Sequence, residues 1–238
     1  MSNYLADQDR EQRITLLVIL GLGSIMLWNT PFGALLLYPF TILTTWFHEM
    51  GHGIATILMG ERFESLQIYP DGSGVAISEV SPRRNVLQDA IISAGGPIGP
   101  GLAGAALIAS SRTLKGTRVA LAVLGAALLV TSVVWIRGLT GWLVLPALGL
   151  AILAIARQAN PAQQRFAIQL LGVQAIISVW AQLGYLFTQG GTLDGRAQIS
   201  DTGAIAEALF LPYWFWGIVL SAVNVALLWW SLRFAFRR

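Results

Sequence analysis

The sequence predicts an all-α polytopic membrane protein, with about seven membrane-embedded segments and a small interfacial β-hairpin after the second. Three observations predict it. Of 238 residues, 55% are hydrophobic and only 11% charged, with a mean hydropathy of +0.65, which excludes an ordinary soluble globule. The apolar residues fall into long runs broken by short polar or Gly/Pro-rich stretches. The arginines gather at the ends of those runs, where such side chains snorkel to headgroups. The net charge of +3 includes no basic run of the kind that binds nucleic acid. Having no cysteine, the chain has no disulfide, thiolate metal site or cysteine nucleophile. Residues 1–238 are expected to form a single membrane-embedded domain. No cleavable signal peptide is expected, because Met1 to Arg13 carries Asp7, Asp9 and Glu11 and no small-residue cleavage site follows the first apolar run.

Ile14 to Trp28 is the first segment. Asn29-Thr30-Pro31-Phe32-Gly33 is a turn so tight that its flanking helices are expected to run antiparallel. Ala34 to Met59 is the second segment, and Gly60 stands where helices favour a glycine stop. Residues 61–80 are too polar to span. Phe63 to Tyr69 and Val75 to Ser78 flank Pro70-Asp71-Gly72-Ser73-Gly74, which is hairpin chemistry. This ribbon is either a plain connector or an edge to which an extended substrate adds as a strand. Asp89 to Ser110 is the third segment, interrupted at Gly95-Gly96-Pro97-Ile98-Gly99-Pro100-Gly101. Two prolines and four glycines in seven residues disfavour a regular helix there; the alternative is close helix packing through small residues.

Val119 to Ile136 is the fourth segment, and Leu139 to Ala156 the fifth, with a kink expected at Pro146. Phe166 to Phe187 is the sixth, and its Gln174, Ser178 and Gln182 recur every four residues as an inward polar face. A loop and short helix occupy 188–212. Tyr213 to Phe234 is the last segment, with aromatic belts at Tyr213 to Trp216 and at Trp229 and Trp230. Arginines on alternate loops of this arrangement nearly balance, so charge assigns no orientation.

The chemistry centres on His48-Glu49-Met50-Gly51-His52. Between Arg13 and Gly60 the only charged side chain is Glu49, and the chain's two histidines flank it. A carboxylate in hydrocarbon costs on the order of a few kcal/mol, so such residues mark function by default. Positions 48 and 52 share a helix face and present two nitrogens to one metal ion, with Glu49 beside them to reach a water. The pattern predicts a zinc-dependent protease whose site lies within the membrane. A polar cluster joining two helices would use the same residues. Haem is disfavoured, since one helix does not place two axial ligands on opposite faces of an iron.

A catalytic zinc takes three protein ligands and keeps one open position. With no further His and no Cys, the third ligand must be a carboxylate. Four segments after the motif, the chain returns to the face where the motif helix ends. Asp194 and Asp201 therefore arrive on the right side, with His52 roughly 10 Å below that helix's end. Each also has a plainer reading, Asp194 as a turn residue and Asp201 as a helix N-cap. Residue chemistry alone does not separate them.

The constellation resembles the site-2 protease family of intramembrane zinc metalloproteases, in its compact M50B-like branch. The resemblance runs through His48 to His52, Pro70 to Gly74, Ser93-Ala94-Gly95-Gly96-Pro97, and Ser200-Asp201-Thr202 with Pro212 and its tryptophans beyond. It implies one zinc per chain, held by His48, His52 and Asp201, with Glu49 as general base. The family's Ser-Asp motif falls on Asp201. The wider family's Leu-Asp-Gly ligand would fall on Asp194, here without the Asn-x-x-Pro that leads into it, so Asp194 is the alternative. The resemblance further implies cleavage in or near transmembrane segments of membrane-protein substrates, in a lipid bilayer expected to be a bacterial cytoplasmic membrane. The competing classes are a non-catalytic membrane protein of the same scaffold, binding metal or helices, and a small-solute transporter. A transporter would show internal repeats, and the sequence has none.

Overall fold

A computed structural model describes residues 2–181, 183–193 and 196–237, leaving the side chains of 2–13, 180–183 and 192–197 undescribed. Each predicted apolar run is helical over most of its described residues, the fourth ending in a strand at Ile136 and the sixth falling in two helices. Helix α1 (Ser2–Trp28) begins ahead of its apolar run, and α2 (Pro31–Leu58) follows after two residues. Thr30 starts α2 by accepting a hydrogen bond from the Gly33 N–H, and Pro31 sits in the first turn, where a missing N–H costs little. Gly60, at φ +83°, closes the helix with a conformation that side chains resist. Strands β1 (Arg62–Ile68) and β2 (Gly74–Glu79) pair antiparallel, with Leu66 opposite Ala76. Helix α3 (Val86–Ser110) opens on a reciprocal Asn85–Gln88 cap. The order continues with α4 (Leu114–Val134), β3 (Ile136–Arg137), α5 (Leu139–Gln158) and α6 (Pro161–Ala181). It ends with α7 (Leu183–Leu186), β4 (Gly190–Leu193), β5 (Arg196–Ile199), α8 (Asp201–Leu209) and α9 (Tyr213–Ala235).

Among the described residues, α3, α4, α5 and α9 are each long and apolar enough to cross a membrane. The apolar part of α1 qualifies only together with α2, as a pair bent by 115°. The chain is an integral membrane protein. The bend departs from the antiparallel pair expected of so short a link. A two-residue connection fixes proximity, while direction is set by packing; Trp28 Nε1 donates to Thr41 Oγ1 at 3.0 Å and holds α2 obliquely across the end of α1. Ile14 consequently lies beside Arg233 and Arg237 at the end of α9. Four helices, or five counting the bent pair, qualify by length and composition among the described residues, against about seven segments expected.

Helix α6 does not qualify alone as a span, because its polar side chains are numerous and turned inward. Gln164, Gln169, Gln174 and Ser178 are all buried. Gln169 donates to Ser111 Oγ at 3.0 Å and Gln174 to Ser24 Oγ at 2.6 Å, tying α6 to α3 and α1. The predicted inward polar face is thus present at 174 and 178, while Gln182 lies outside the described residues.

The expected interruption of α3 is absent: the helix runs unbroken through Pro97 and Pro100. Its glycines serve close packing instead. A Cβ on Gly51 of α2 would overlap the Gly95 carbonyl, and one on Gly104 would strike α6 at Gly172 and Ile176. Asn224 of α9 donates to the Pro97 carbonyl at 3.2 Å, tying α9 to α3 beside the two prolines. Helix α5 likewise passes through Pro146 without a break.

Two sheet features were not expected. Strand β3, in the link between α4 and α5, pairs parallel with β1, so the sheet order is β2-β1-β3 and β2 is left as an edge. Phe63, Leu66 and Ile68 of β1 point into the core, which anchors the hairpin against the α4–α5 corner. Strands β4 and β5 form a second hairpin in a stretch read as loop, with Leu193 opposite Arg196. The Asp-Gly pair between them was a hairpin signal of the strongest short-range kind.

The two faces of the bundle differ in charge. Arg112, Lys115 and Arg118 follow α3, Arg157 and Arg165 flank the α5–α6 turn, and Arg233 and Arg237 end α9. No carboxylate stands with them among the described side chains; Glu61, Glu64, Asp71, Glu79, Asp89 and Glu207 belong to the other face.

The α2–α3 crossing tolerates no added volume. Gly95→Val is expected to destabilise the protein by about 1–3 kcal/mol through overpacking. Gly23→Ala, where nothing lies within 4 Å, should hold or raise stability. Thermal unfolding of both variants in detergent compares them.

Candidate metal centre

Three elements bring polar groups to one point. Helix α2 supplies His48, Glu49 and His52 from neighbouring turns. Helix α8 supplies Asp201, and its start is tied down by hydroxyls. Ser200 caps the helix, accepting from the Gly203 N–H at 3.0 Å and donating to the Thr188 carbonyl at 2.5 Å. Thr202 Oγ1 donates to the Leu186 carbonyl at 3.0 Å. The cap is therefore Ser200, not Asp201 as the plainer sequence reading had it, and Asp201 is free to project from the first turn. Helix α3 supplies the Ile92 carbonyl, which accepts from His52 Nδ1 at 2.8 Å. That bond puts the His52 proton on Nδ1 and leaves the Nε2 lone pair facing inward.

The inward atoms converge. His48 Nε2 lies 3.1 Å from Asp201 Oδ2, His52 Nε2 lies 3.2 Å from Asp201 Oδ1, and the two Nε2 atoms are 3.2 Å apart. Asp201 Oδ2 is buried without a hydrogen-bond partner among the described residues, despite the nitrogen beside it. Two imidazole nitrogens and two carboxylate oxygens meeting in this way are lone pairs aimed at a common point. Ligands about 2.0–2.1 Å from a tetrahedral ion stand about 3.3 Å from one another, so the donor set and its spacing fit a divalent cation. Gly96 leaves the room: a Cβ there would collide with both Nε2 atoms.

Glu49 is buried beside the cluster. Strand β2 runs against it so closely that a Cβ on Gly74 would come within 2.9 Å of Glu49 Oε1 and 2.6 Å of Thr45 Cγ2. The hairpin is pinned in this position by Thr45 Oγ1, which donates to the Gly72 carbonyl at 2.6 Å, and by Tyr38, which donates to the Pro70 carbonyl at 3.0 Å. Asp71 in that turn accepts from both the hydroxyl and the backbone N–H of Ser73, which hold its carboxyl below the usual range. A cavity of about 390 Å³ opens onto His48 and Glu49, walled by the first hairpin at Gly74, the second at Gly191 and Gln198, and Tyr185.

The structure thus gathers His48, Glu49, His52 and Asp201. Asp194, the alternative ligand, lies outside the described residues. Sequence reasoning missed Ile92, which acts through its backbone and leaves no side-chain signal. It also missed the role of Gly96, read as a helix breaker or a packing residue rather than as the space the imidazoles occupy, and Tyr185, a lone tyrosine near the end of an apolar run.

A family model described as Peptidase M50B-like matches residues 16–231. The chain belongs to the peptidase M50B-like family. No curated protein and no solved structure gives a significant match. In this M50B-like protein His48, His52 and Asp201 form a donor set that could hold a metal ion, with the Glu49 carboxylate beside it. Its family places it with the site-2 proteases.

The pinning of the first hairpin has a measurable consequence. Thr45→Val removes a buried hydrogen bond worth about 1 kcal/mol, so amide exchange at Gly72 to Gly74 should quicken about fivefold while α8 is unaffected. Hydrogen exchange in detergent micelles reads both segments.

Proposed function

We propose that the chain is an intramembrane zinc metalloprotease that hydrolyses peptide bonds in or near transmembrane segments of membrane-protein substrates. We assign it to a bacterial cytoplasmic membrane as one membrane-embedded domain. The convergence of His48, His52 and Asp201 beside a buried Glu49 carries the reading, and the M50B-like match supports it. Zinc at that point, one per chain, supplies a Lewis acid for the scissile carbonyl and makes water a nucleophile near neutral pH.

The protein's own groups do the rest. Ile92 fixes the tautomer and ring orientation of His52 through the Nδ1–H bond. Glu49, as general base, takes a proton from the attacking water as its oxygen bonds to the carbonyl carbon. It then delivers that proton to the amine nitrogen as the C–N bond breaks. Strand β2 offers a free edge alongside Glu49. An unwound substrate segment adds to that edge through main-chain hydrogen bonds, which puts its peptide bonds over the site. Gly74 keeps the approach clear of a side chain, and the cavity over His48 and Glu49 gives water a way in.

Glu49→Gln should keep about one zinc per chain and lose about 10²–10⁴-fold in turnover. His52→Ala and Asp201→Asn should lose both metal and activity, while Asp194→Asn should keep its metal. Metal analysis of purified protein and cleavage of a fluorogenic transmembrane substrate in liposomes measure the two quantities. Full activity in Glu49→Gln would overturn the hydrolytic reading, and metal loss confined to Asp194→Asn would move the third ligand.

A further inference from the structure

On the face of the bundle away from the metal centre, the last turns of α9 and Ile14 of α1 enclose a cavity of about 660 Å³. Trp229 and Arg233 are spaced by four on one ridge of α9, with Arg237 just beyond the helix end; Trp230 and Phe234 form the next ridge, their rings stacked with centroids 5.6 Å apart. The Arg233 guanidinium lies 4.1 Å from the centre of the Trp229 ring. Arg112, arriving from the turn after α3, lies 5.0 Å over Phe234. None of these three arginines has an ion-pair partner among the described residues.

A cation in the last turn of a helix complements the helix dipole, and arginines snorkel at membrane surfaces. Those effects account for Arg233 alone. They do not explain why Arg112 and Arg233 each lie over an aromatic face, or the hollow walled by Trp229 and Trp230 beside them. Stacking holds each guanidinium flat on an aromatic face and leaves its N–H edge free. A planar fork of that kind matches two oxygens of a phosphate. Indoles sit at headgroup depth, and basic pockets between membrane helices take anionic headgroups.

We propose that this cavity binds an anionic phospholipid. Its phosphodiester meets Arg233 and Arg237, which line the cavity, with Arg112 over Phe234 at the margin, and its glycerol and first methylenes lie on Trp229 and Trp230. A free phosphate offers the same oxygens but nothing to cover the aromatic walls, so the lipid is the occupant the site fits. The inference is independent of the proteolytic reading, since none of these residues belongs to the metal centre.

The test uses the full chain, purified and delipidated in detergent, with lipid adducts counted by native mass spectrometry. Phosphatidylglycerol should be retained about tenfold over phosphatidylcholine. Arg233→Gln and, separately, the exposed Arg112→Gln should each reduce that preference about fivefold, with melting temperature in lipid-free detergent unchanged. Lys115→Gln, on the same face but outside the cavity, should leave it intact. Equal retention of the two lipids would overturn the proposal, as would equal loss in Lys115→Gln, which would mark diffuse charge. Displacement of the lipid by millimolar inorganic phosphate would assign the site to free anions instead.

Discussion

The structure depends on one constraint: polar groups in hydrocarbon must satisfy one another. A carboxylate or imidazole facing lipid would cost several kcal/mol, whereas three such groups aimed at one point form a site for a cation whose charge offsets theirs. This requirement fixes Asp201 relative to His48 and His52 to within 3.2 Å, although about 150 residues separate them. The bundle must therefore return the chain to the motif helix at a definite depth, and each neighbouring element contributes to that return.

Backbone proximity meets the requirement more than side-chain packing does. Helix α3 approaches α2 so closely at Gly51, Gly95 and Gly99 that the Ile92 carbonyl reaches an imidazole and the imidazoles find space over Gly96. Longer side chains at the crossing would push the helices apart and move that carbonyl beyond hydrogen-bond reach. On the other side, Gly74 brings an edge strand against Glu49 on the same principle. Stability of the helix pair and geometry of the site thus rest on the same small residues.

The motif helix was legible in the sequence because its signal is chemical: two histidines and one acid in an otherwise apolar segment. The first hairpin was legible because Pro70 to Gly74 is turn chemistry between alternating runs. Two other features were not. Counting prolines and glycines in Gly95 to Gly101 put an interrupted helix beside close packing as readings, and in the bundle those residues buy close approach while Asn224 of α9 bonds the Pro97 carbonyl alongside. Helix direction across Asn29 and Thr30 was also beyond local reading, because the bend is set by a contact between Trp28 and Thr41 that no pattern encodes.

That bend changes more than one helix angle. With α1 and α2 antiparallel, the basic residues divide almost evenly between the two faces of the membrane. With α1 and α2 bent at their link, Ile14, Leu16 and Leu17 of α1 lie on the face that holds Arg112, Arg165, Arg233 and Arg237. The faces then become chemically unlike: one basic and aromatic, the other carrying the described carboxylates, both hairpins and the open cavity. A bundle so polarised has a preferred way to sit in a bilayer whose leaflets differ in charge, because arginines without carboxylate partners gain most where lipid phosphates are densest. The hydrogen bond between an indole and a threonine at 3.0 Å therefore bears on which side of a bilayer the cavity over His48 and Glu49 faces, as well as on the local fold.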